Sequence, residues 1–311
     1  MSKYSIVVPF HNEEENVTEL YDRLRVVMEA AGEPFELVFV DDGSRDRTWP
    51  LIEDASRTHA GTVSGLKLSR NVGHQNALLA GLLTQIGKAD AAISLDADLQ
   101  DDISVIGTMV DRHRDGAEIV FAVRRTRYGD SLYKRGTAGL YYRILRWLGA
   151  DIIPHHADFR LMSDKALRAL AGFGEVNIFL RGLVVQLGFQ TAVVEFDQLP
   201  RLHGETKYTL SKMIALALNG ITSLSVRPIR LIALLGLVLF VVFIGMSVWV
   251  FATWLVGYTV QGWTSVMLLF LLIAAFQTFS IAVIGEYVGK IYFETKSRPR
   301  YIVERETPAP D

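Results

Sequence analysis

The sequence contains no cysteine, which excludes disulfide staples, thiolate metal ligands and thiol nucleophiles. It also lacks any Gly-x-Gly-x-x-Gly after a strand-like run, so a dinucleotide-binding reading gains no support. Charge is scarce overall and missing in one place: the formal net charge is −2, and no Asp, Glu, Lys or Arg occurs from Leu231 to Gly285. Near neutrality hides a split, with acidic clusters in the first hundred residues and basic clusters at 124–146 and 290–300. The uncharged run spans 55 residues and raises the mean hydropathy to +0.24. At roughly 20 residues per span it could cross a bilayer twice. No signal-peptide-like apolar region opens the chain, since Met1-Ser2-Lys3-Tyr4 leads straight into a strand. That predicts that about the first 220 residues stay in the cytosol.

What is present is an alternating pattern. Tyr4 to Pro9, Phe35 to Val40, Val63 to Leu68, Ala91 to Ile93 and Glu118 to Val123 read as strands. Between them, helical spacing begins at Val17 and runs over Thr48 to His59, His74 to Ile86 and Ile103 to His113. Such alternation predicts an α/β domain with a mostly parallel sheet covered on both faces.

Acidic side chains stand at two strand exits. Asp96 and Asp98 follow the fourth strand, with Gln100 continuing the row. On an extended chain, residues i and i+2 point the same way, and two carboxylates with an amide oxygen suit Mg²⁺ or Mn²⁺. Asp101 and Asp102 read instead as caps for the following helix. At the second strand exit, Asp41 or Asp42 can accept hydrogen bonds from a base N–H or a ribose hydroxyl. Asp-Asp-Gly-Ser also serves as an ordinary turn, so its weight comes from lying beside the other acidic exit. Together the exits point to a nucleoside diphosphate carrying a further group.

Downstream, Arg124, Arg125, Arg127, Lys134, Arg135, Arg143 and Arg146 mix with aromatics. A solvated face, an anionic membrane surface and a phosphate-bearing substrate all fit such a run. Nucleic acid fits least, given the acidic first half and the hydrophobic tail. Asp158 lies on an extended segment two residues from Arg160, where a structural salt bridge is the plain reading. The adjacent His155 and His156 would face opposite ways on a strand, which argues against a shared metal. Arg201 and Lys207 flank a polar loop from which both could reach an anion, or which merely links the soluble and membrane parts. Residues 209–228 read as an interfacial amphipathic helix, and 229–289 as a transmembrane hairpin with spans at about 231–256 and 265–285. Lys and Arg on both outer flanks and none in the turn put both termini in the cytoplasm by the positive-inside rule. The division expected is a cytosolic domain at 1–208, this membrane part, and a cytosolic tail at 290–311.

Five motifs in order carry a family resemblance: Val7-Val8-Pro9-Phe10-His11-Asn12-Glu13-Glu14, Val40-Asp41-Asp42-Gly43-Ser44, Asp96-Ala97-Asp98-Leu99-Gln100, Ala157-Asp158-Phe159-Arg160 and Gly204-Glu205-Thr206-Lys207-Tyr208. With the hairpin behind them, they make the chain resemble the polyprenyl-phosphate glycosyltransferases. That group includes dolichol-phosphate mannose synthase and the bacterial polyprenyl-phosphate glucosyltransferases, within the inverting glycosyltransferase family 2 of GT-A fold. The resemblance implies that Pro9, Asn12, Glu13, Asp41, Asp42 and Asp96 neighbour the nucleotide sugar. It implies that Asp96, Asp98 and Gln100 hold Mg²⁺ or Mn²⁺ with the diphosphate, and that Asp158 is the essential carboxylate near the sugar. Arg124, Arg127, Lys134, Arg135, Arg201 and Lys207 match positions near the acceptor phosphate. The implied reaction moves one sugar from a nucleoside diphosphate sugar, UDP-glucose foremost, to undecaprenyl or dolichyl phosphate at the bacterial inner membrane. Mannosyl or aminoarabinosyl transfer to the same lipid stays open. A processive synthase would carry Gln-x-x-Arg-Trp where this chain has Gln198-Leu199-Pro200-Arg201-Leu202. The resemblance further implies a homo-oligomer assembled through the membrane helices.

Overall fold

The structure, a computed structural model, describes residues 3–125, 156–176, 178–197, 227–256 and 262–307. Its centre is an eight-stranded sheet ordered β7-β5-β6-β4-β1-β2-β3-β8. The strands are β1 (Tyr4–Phe10), β2 (Phe35–Asp41), β3 (Val63–Leu68), β4 (Ala91–Ser94), β5 (Ile119–Arg124), β6 (His156–Ser163), β7 (Thr191–Phe196) and β8 (Val303–Glu306). β1 pairs in parallel with both β2 and β4, and β2 with β3. β6 lies antiparallel between β4 and β5, β7 runs parallel to β5, and β8 runs antiparallel to β3. The mostly parallel α/β class expected from the sequence is the one observed. The central strands are buried on both faces, which is why they read as unbroken apolar runs and not as alternation.

Helix α1 (Val17–Ala31) presents Leu20, Leu24 and Met28 to one face of the sheet, each fully buried. Burial of such side chains contributes about 1.5–3 kcal/mol apiece. The helix ends at Gly32, whose φ of 70° is the left-handed stop that glycine tolerates. With α1 on that face lie α2 (Thr48–Thr58) and α4 (Ile106–Arg114), the latter entered through a 3₁₀ turn at Ile103–Val105. On the other face α3 (His74–Leu83) packs with α5 (Asp164–Ala171) and α6 (Leu180–Gln186). Gly81 lets α3 approach the sheet closely: a Cβ there would stand 2.4 Å from Val7 Cγ1 and 2.7 Å from Val40 Cγ2.

Beyond this domain run α7 (Arg227–Leu255) and α8 (Trp263–Thr295). Arg227–Met246 and Leu272–Thr295 are long and apolar enough to cross a membrane, and they are 0% and 6% buried in the protein. A soluble core helix of that hydropathy would be covered by neighbours, so these surfaces fit lipid better. After α8 the chain returns to the sheet as β8, although the sequence reading set residues 290–311 apart as a tail. The interfacial segment 209–226 and the hairpin turn 257–261 lie outside the described residues.

Candidate active site

The order β3-β2-β1-β4 reverses direction at β1, and the crevice outside the carboxyl ends of strands at such a point is where open α/β sheets bind ligands. The exits of β1, β2 and β4 carry the predicted residues. Pro9 is buried inside β1, in register with Val40 of β2. Asn12 adopts φ 53°, and its side chain accepts from Arg45 N at 2.9 Å while its own N–H donates to Ser44 Oγ at 3.0 Å. Glu13 accepts from Asn16 Nδ2 at 2.7 Å, and its backbone N–H donates to Thr48 Oγ1 at 3.1 Å. Both residues therefore lace the β1 exit to the β2 exit.

Asp41 and Asp42 are both buried but differ in kind. Asp42 Oδ1 accepts from Val72 N at 2.7 Å and Oδ2 from Gly73 N at 3.0 Å, which clamps the β3–α3 loop to the β2 exit. Asp41 Oδ1 accepts from Ser44 N at 3.2 Å, while its buried Oδ2 makes no hydrogen bond. Burial pushes the Asp41 carboxyl above its ordinary pKa, against the pull of Ser44 and Lys67. Gly43 holds the turn at φ 64°, with room for a Cβ removed by Arg70 C and Asn71 N at 2.6 Å. His11 adds a hub, its Nδ1 2.9 Å from Asp42 O and its Nε2 2.9 Å from Asn71 Nδ2. These loops line a cleft of about 510 Å³ that includes His11, Asn12, Ser44, Arg45, Lys67 and Glu304.

At the β4 exit the backbone corrects one step of the sequence argument. Ala97 and Asp98 lie in a turn and Leu99 takes φ 57°, so strand alternation does not set the directions of Asp96 and Asp98. Such a φ for a leucine is strained and survives where surrounding structure imposes it. Asp98 Oδ1 accepts from Gln100 N at 3.2 Å, which shapes the turn. Asp96 Oδ1 lies 3.2 Å from His74 Nε2 and makes no hydrogen bond. Asp102 caps the 3₁₀ turn as expected, accepting from Ser104 N at 3.0 Å. Asp101 does something else: it is buried against Arg124, at 3.1 Å, and burial with the nearby Asp96 charge pushes its pKa up to about 7.

Asp158 is the best-held carboxylate of the site. The expected pair with Arg160 is present at 2.5 Å, between two buried side chains two residues apart on β6. Arg181, on α6, adds a fork: Nε donates to Oδ1 at 3.1 Å and Nη2 to Oδ2 at 2.8 Å. His74 Nε2 lies 3.4 Å from Oδ2. Although burial opposes ionisation, the His74 contact and the two guanidiniums hold Asp158 well below the usual carboxylate range. His74 loses hydration there too, but the Asp96 and Asp158 charges outweigh that and push its pKa up to about 9. Ser94 Oγ, at the end of β4, donates to Asp158 O at 2.5 Å and ties the β4 exit to the start of the antiparallel β6.

The donor atoms of His74, Asp96 and Asp158 lie within 4.8 Å of one another, close enough to share a metal ion. Two guanidiniums on Asp158 disfavour a cation at that carboxylate, whereas Asp96 Oδ1, which faces only His74 and makes no hydrogen bond, is an oxygen donor that fits a metal if His74 gives way. Arg181 carries no local signal of function, since only the fold brings a short apolar helix to β6, and His74 offers a weak one, its place directly after the third strand's exit loop. Of the basic residues predicted for the acceptor, Arg124 ends β5 in its pair with Asp101; Arg127, Lys134, Arg135, Arg201 and Lys207 lie outside the described residues.

Comparison with known proteins agrees with this geometry. Residues 5–171 match the model for glycosyl transferase family 2. An uncharacterized glycosyltransferase of Bacillus subtilis (strain 168), YkoT, is 46% identical over 307 residues, covering 96% of this chain and 90% of its own. The bactoprenol glucosyl transferase of Shigella phage SfX is 37% identical over 309 residues, covering 97% and 99%. A solved mycobacterial protein shares the fold with a TM-score of 0.50 at 16% identity, over 73% of this chain and 74% of its own. On its motifs, its GT-A sheet and these matches, the chain belongs to glycosyl transferase family 2.

Proposed function

We propose that this glycosyltransferase moves one sugar, glucose from UDP-glucose, to a polyprenyl phosphate with inversion at the anomeric carbon. The observation that carries the reading is the joining of the β4 exit to the start of the antiparallel β6 through His74, with Asp158 beside Asp96 at the same end of the sheet as the cleft between the β1 and β2 exits. The relatives named bactoprenol glucosyl transferase, aligned over nearly their whole length, support the lipid acceptor. The two long apolar helices support a membrane-anchored enzyme. In this reading residues 1–208 with the returning tail face the cytoplasm, 209–228 lie in the interface, 229–289 form the hairpin, and copies assemble through it.

In the nucleoside cleft, the free oxygen of Asp41 accepts a base N–H, and Asn12 and Glu13 hold the loop against the ribose. Mg²⁺ or Mn²⁺, held by Asp96 and Asp98 with Gln100, would neutralise the diphosphate as it leaves. The acceptor's phosphate is a monoester with a second pKa near ~6, so it arrives ionised and needs no strong base. Asp158 is accordingly a positioning carboxylate. Held as an anion by Arg160, Arg181 and His74, it orients the sugar and stabilises positive character at the anomeric carbon. Arg124, Arg127, Lys134, Arg135, Arg201 and Lys207 offset the repulsion between the two anions that must meet.

The experiment is transfer from a panel of radiolabelled nucleoside diphosphate sugars to undecaprenyl phosphate, with the pH profile of Asp158→Asn alongside. We expect one glucose per lipid, and a variant rate that stays low at every pH. Recovery of the variant at high pH would show that Asp158 moves a proton, and absence of lipid-linked product from every donor would refute the acceptor.

A further inference from the structure

Glu304 sits about 260 residues from Asp41 and Asp42, in β8, yet it lines the same cleft as His11, Asn12 and Ser44. Its placement is not that of a loose tail. Ser69 N donates to Ile302 O and Thr307 N to Gly65 O, both at 2.9 Å, and Gly65 N donates to Thr307 Oγ1 at 2.6 Å. Gly65 is needed for this fit, because a Cβ there would stand 2.7 Å from Ile52 Cγ2 and 3.3 Å from Thr307 Cγ2.

The pairing between β3 and β8 slips at one point. Lys67 faces Arg305 and Leu68 faces Val303, which leaves Glu304 as the extra residue of a bulge. Bulges re-aim side chains and gather near active sites. Here the re-aimed carboxylate accepts from Lys67 Nζ at 3.2 Å. Lys67 in turn is the register partner of Asp41 across β2 and β3, and its charge acts on the Asp41 carboxyl. Carboxylate, ammonium and carboxylate thus form a row over three neighbouring strands, beside the Asp41 oxygen that makes no hydrogen bond.

We propose that β8 completes the nucleoside end of the donor site. The Lys67 ammonium holds the Glu304 carboxylate at the cleft, and that carboxylate accepts a hydrogen bond from a ribose hydroxyl or base N–H of the nucleoside diphosphate. The proposal rests on the donor-binding reading above. A partly exposed ion pair adds little to stability, so a mere clasp for the sheet edge would leave little trace in ligand affinity. A binding role makes a different demand, for it must be selective for the nucleoside and indifferent to the diphosphate.

The test uses the full chain in detergent micelles with Mg²⁺. Calorimetry follows whichever of UDP, GDP and CDP binds best, with inorganic pyrophosphate beside it. Glu304→Gln is expected to weaken the nucleotide about tenfold, roughly one charge-assisted hydrogen bond, and to leave pyrophosphate unchanged. Lys67→Met should show the same selective loss, and Glu306→Gln, on the same strand but outside the cleft, should show none. Wild-type affinity in both Glu304→Gln and Lys67→Met would overturn this inference while leaving the donor reading intact. Equal losses of nucleotide and pyrophosphate would overturn it as well. Failure of the unaltered protein to bind any of the three nucleotides would overturn both.

Discussion

Asp41 and Asp42 are neighbours in sequence and both buried, yet the structure bonds them differently, a difference that Asp41→Asn and Asp42→Asn separate. In Asp42→Asn, one of two acceptor oxygens becomes an NH₂ group facing Val72 N–H or Gly73 N–H. A charge-assisted hydrogen bond worth about 1.5–3 kcal/mol is lost and a buried N–H is left unpaired, so the combined cost is about 3 kcal/mol. For a domain of this size that lowers the unfolding midpoint by roughly 6–12 °C. Asp41 behaves otherwise, because its folded-state pKa is raised by burial. A raised carboxyl pKa means that the folded state holds its proton longer, so stability is lost as pH rises through that pKa. The asparagine removes the unfavourable charge. Asp41→Asn should therefore melt within about 2 °C of the parent, or slightly above it, at neutral pH. In the proposed reading it should lose about tenfold or more in nucleotide affinity, because Oδ2 is the buried acceptor left without a hydrogen bond. Thermal unfolding and nucleotide calorimetry on the same detergent-purified samples read both effects. The reasoning is refuted if the pattern inverts, with Asp41→Asn melting early and Asp42→Asn losing only affinity.

Arg181→Lys keeps the charge but loses the fork on Asp158, and should lower kcat about tenfold to a hundredfold while donor affinity stays near the parent value. A matching fall in donor affinity would place Arg181 on the nucleotide instead. Gly81→Val drives side-chain atoms into Val7 and Val40, and should cost about 1–3 kcal/mol by overpacking, visible as earlier unfolding. An unchanged midpoint would mean that α3 is free to move off the sheet. Chelation by EDTA should abolish transfer, with Mg²⁺ or Mn²⁺ restoring it; undiminished transfer in EDTA would exclude a metal at Asp96 and Asp98.

The strands and helices were legible because a sheet buried on both faces needs continuous apolar runs, and its covering helices need periodic ones. Val63 to Leu68 was expected and is found at Val63–Leu68, and Glu118 to Val123 is observed one residue later. The two apolar helices were legible for the same reason, since lipid demands length and the absence of charge. Less legible was the Asp96 turn, where strand alternation was extended past the end of β4 into residues governed by the left-handed Leu99. β8 was not legible at all: after Val303, Glu304 to Glu306 are charged and exposed, and only the open edge of β3 makes the segment a strand.

By itself the chain's order determined which carboxylates end strands, which stretch suits a bilayer, and to which family the whole belongs, because those properties reside in local pattern. The tertiary structure alone decided that Asp42 clamps while Asp41 keeps an oxygen without a hydrogen bond, that Asp158 is held by Arg181 and His74, and that Glu304 reaches the cleft beside the β1 and β2 exits. Those are pairings between residues tens to hundreds of positions apart, and a hydrogen bond or ion pair exists only once packing of the sheet has brought its two ends within about 3 Å.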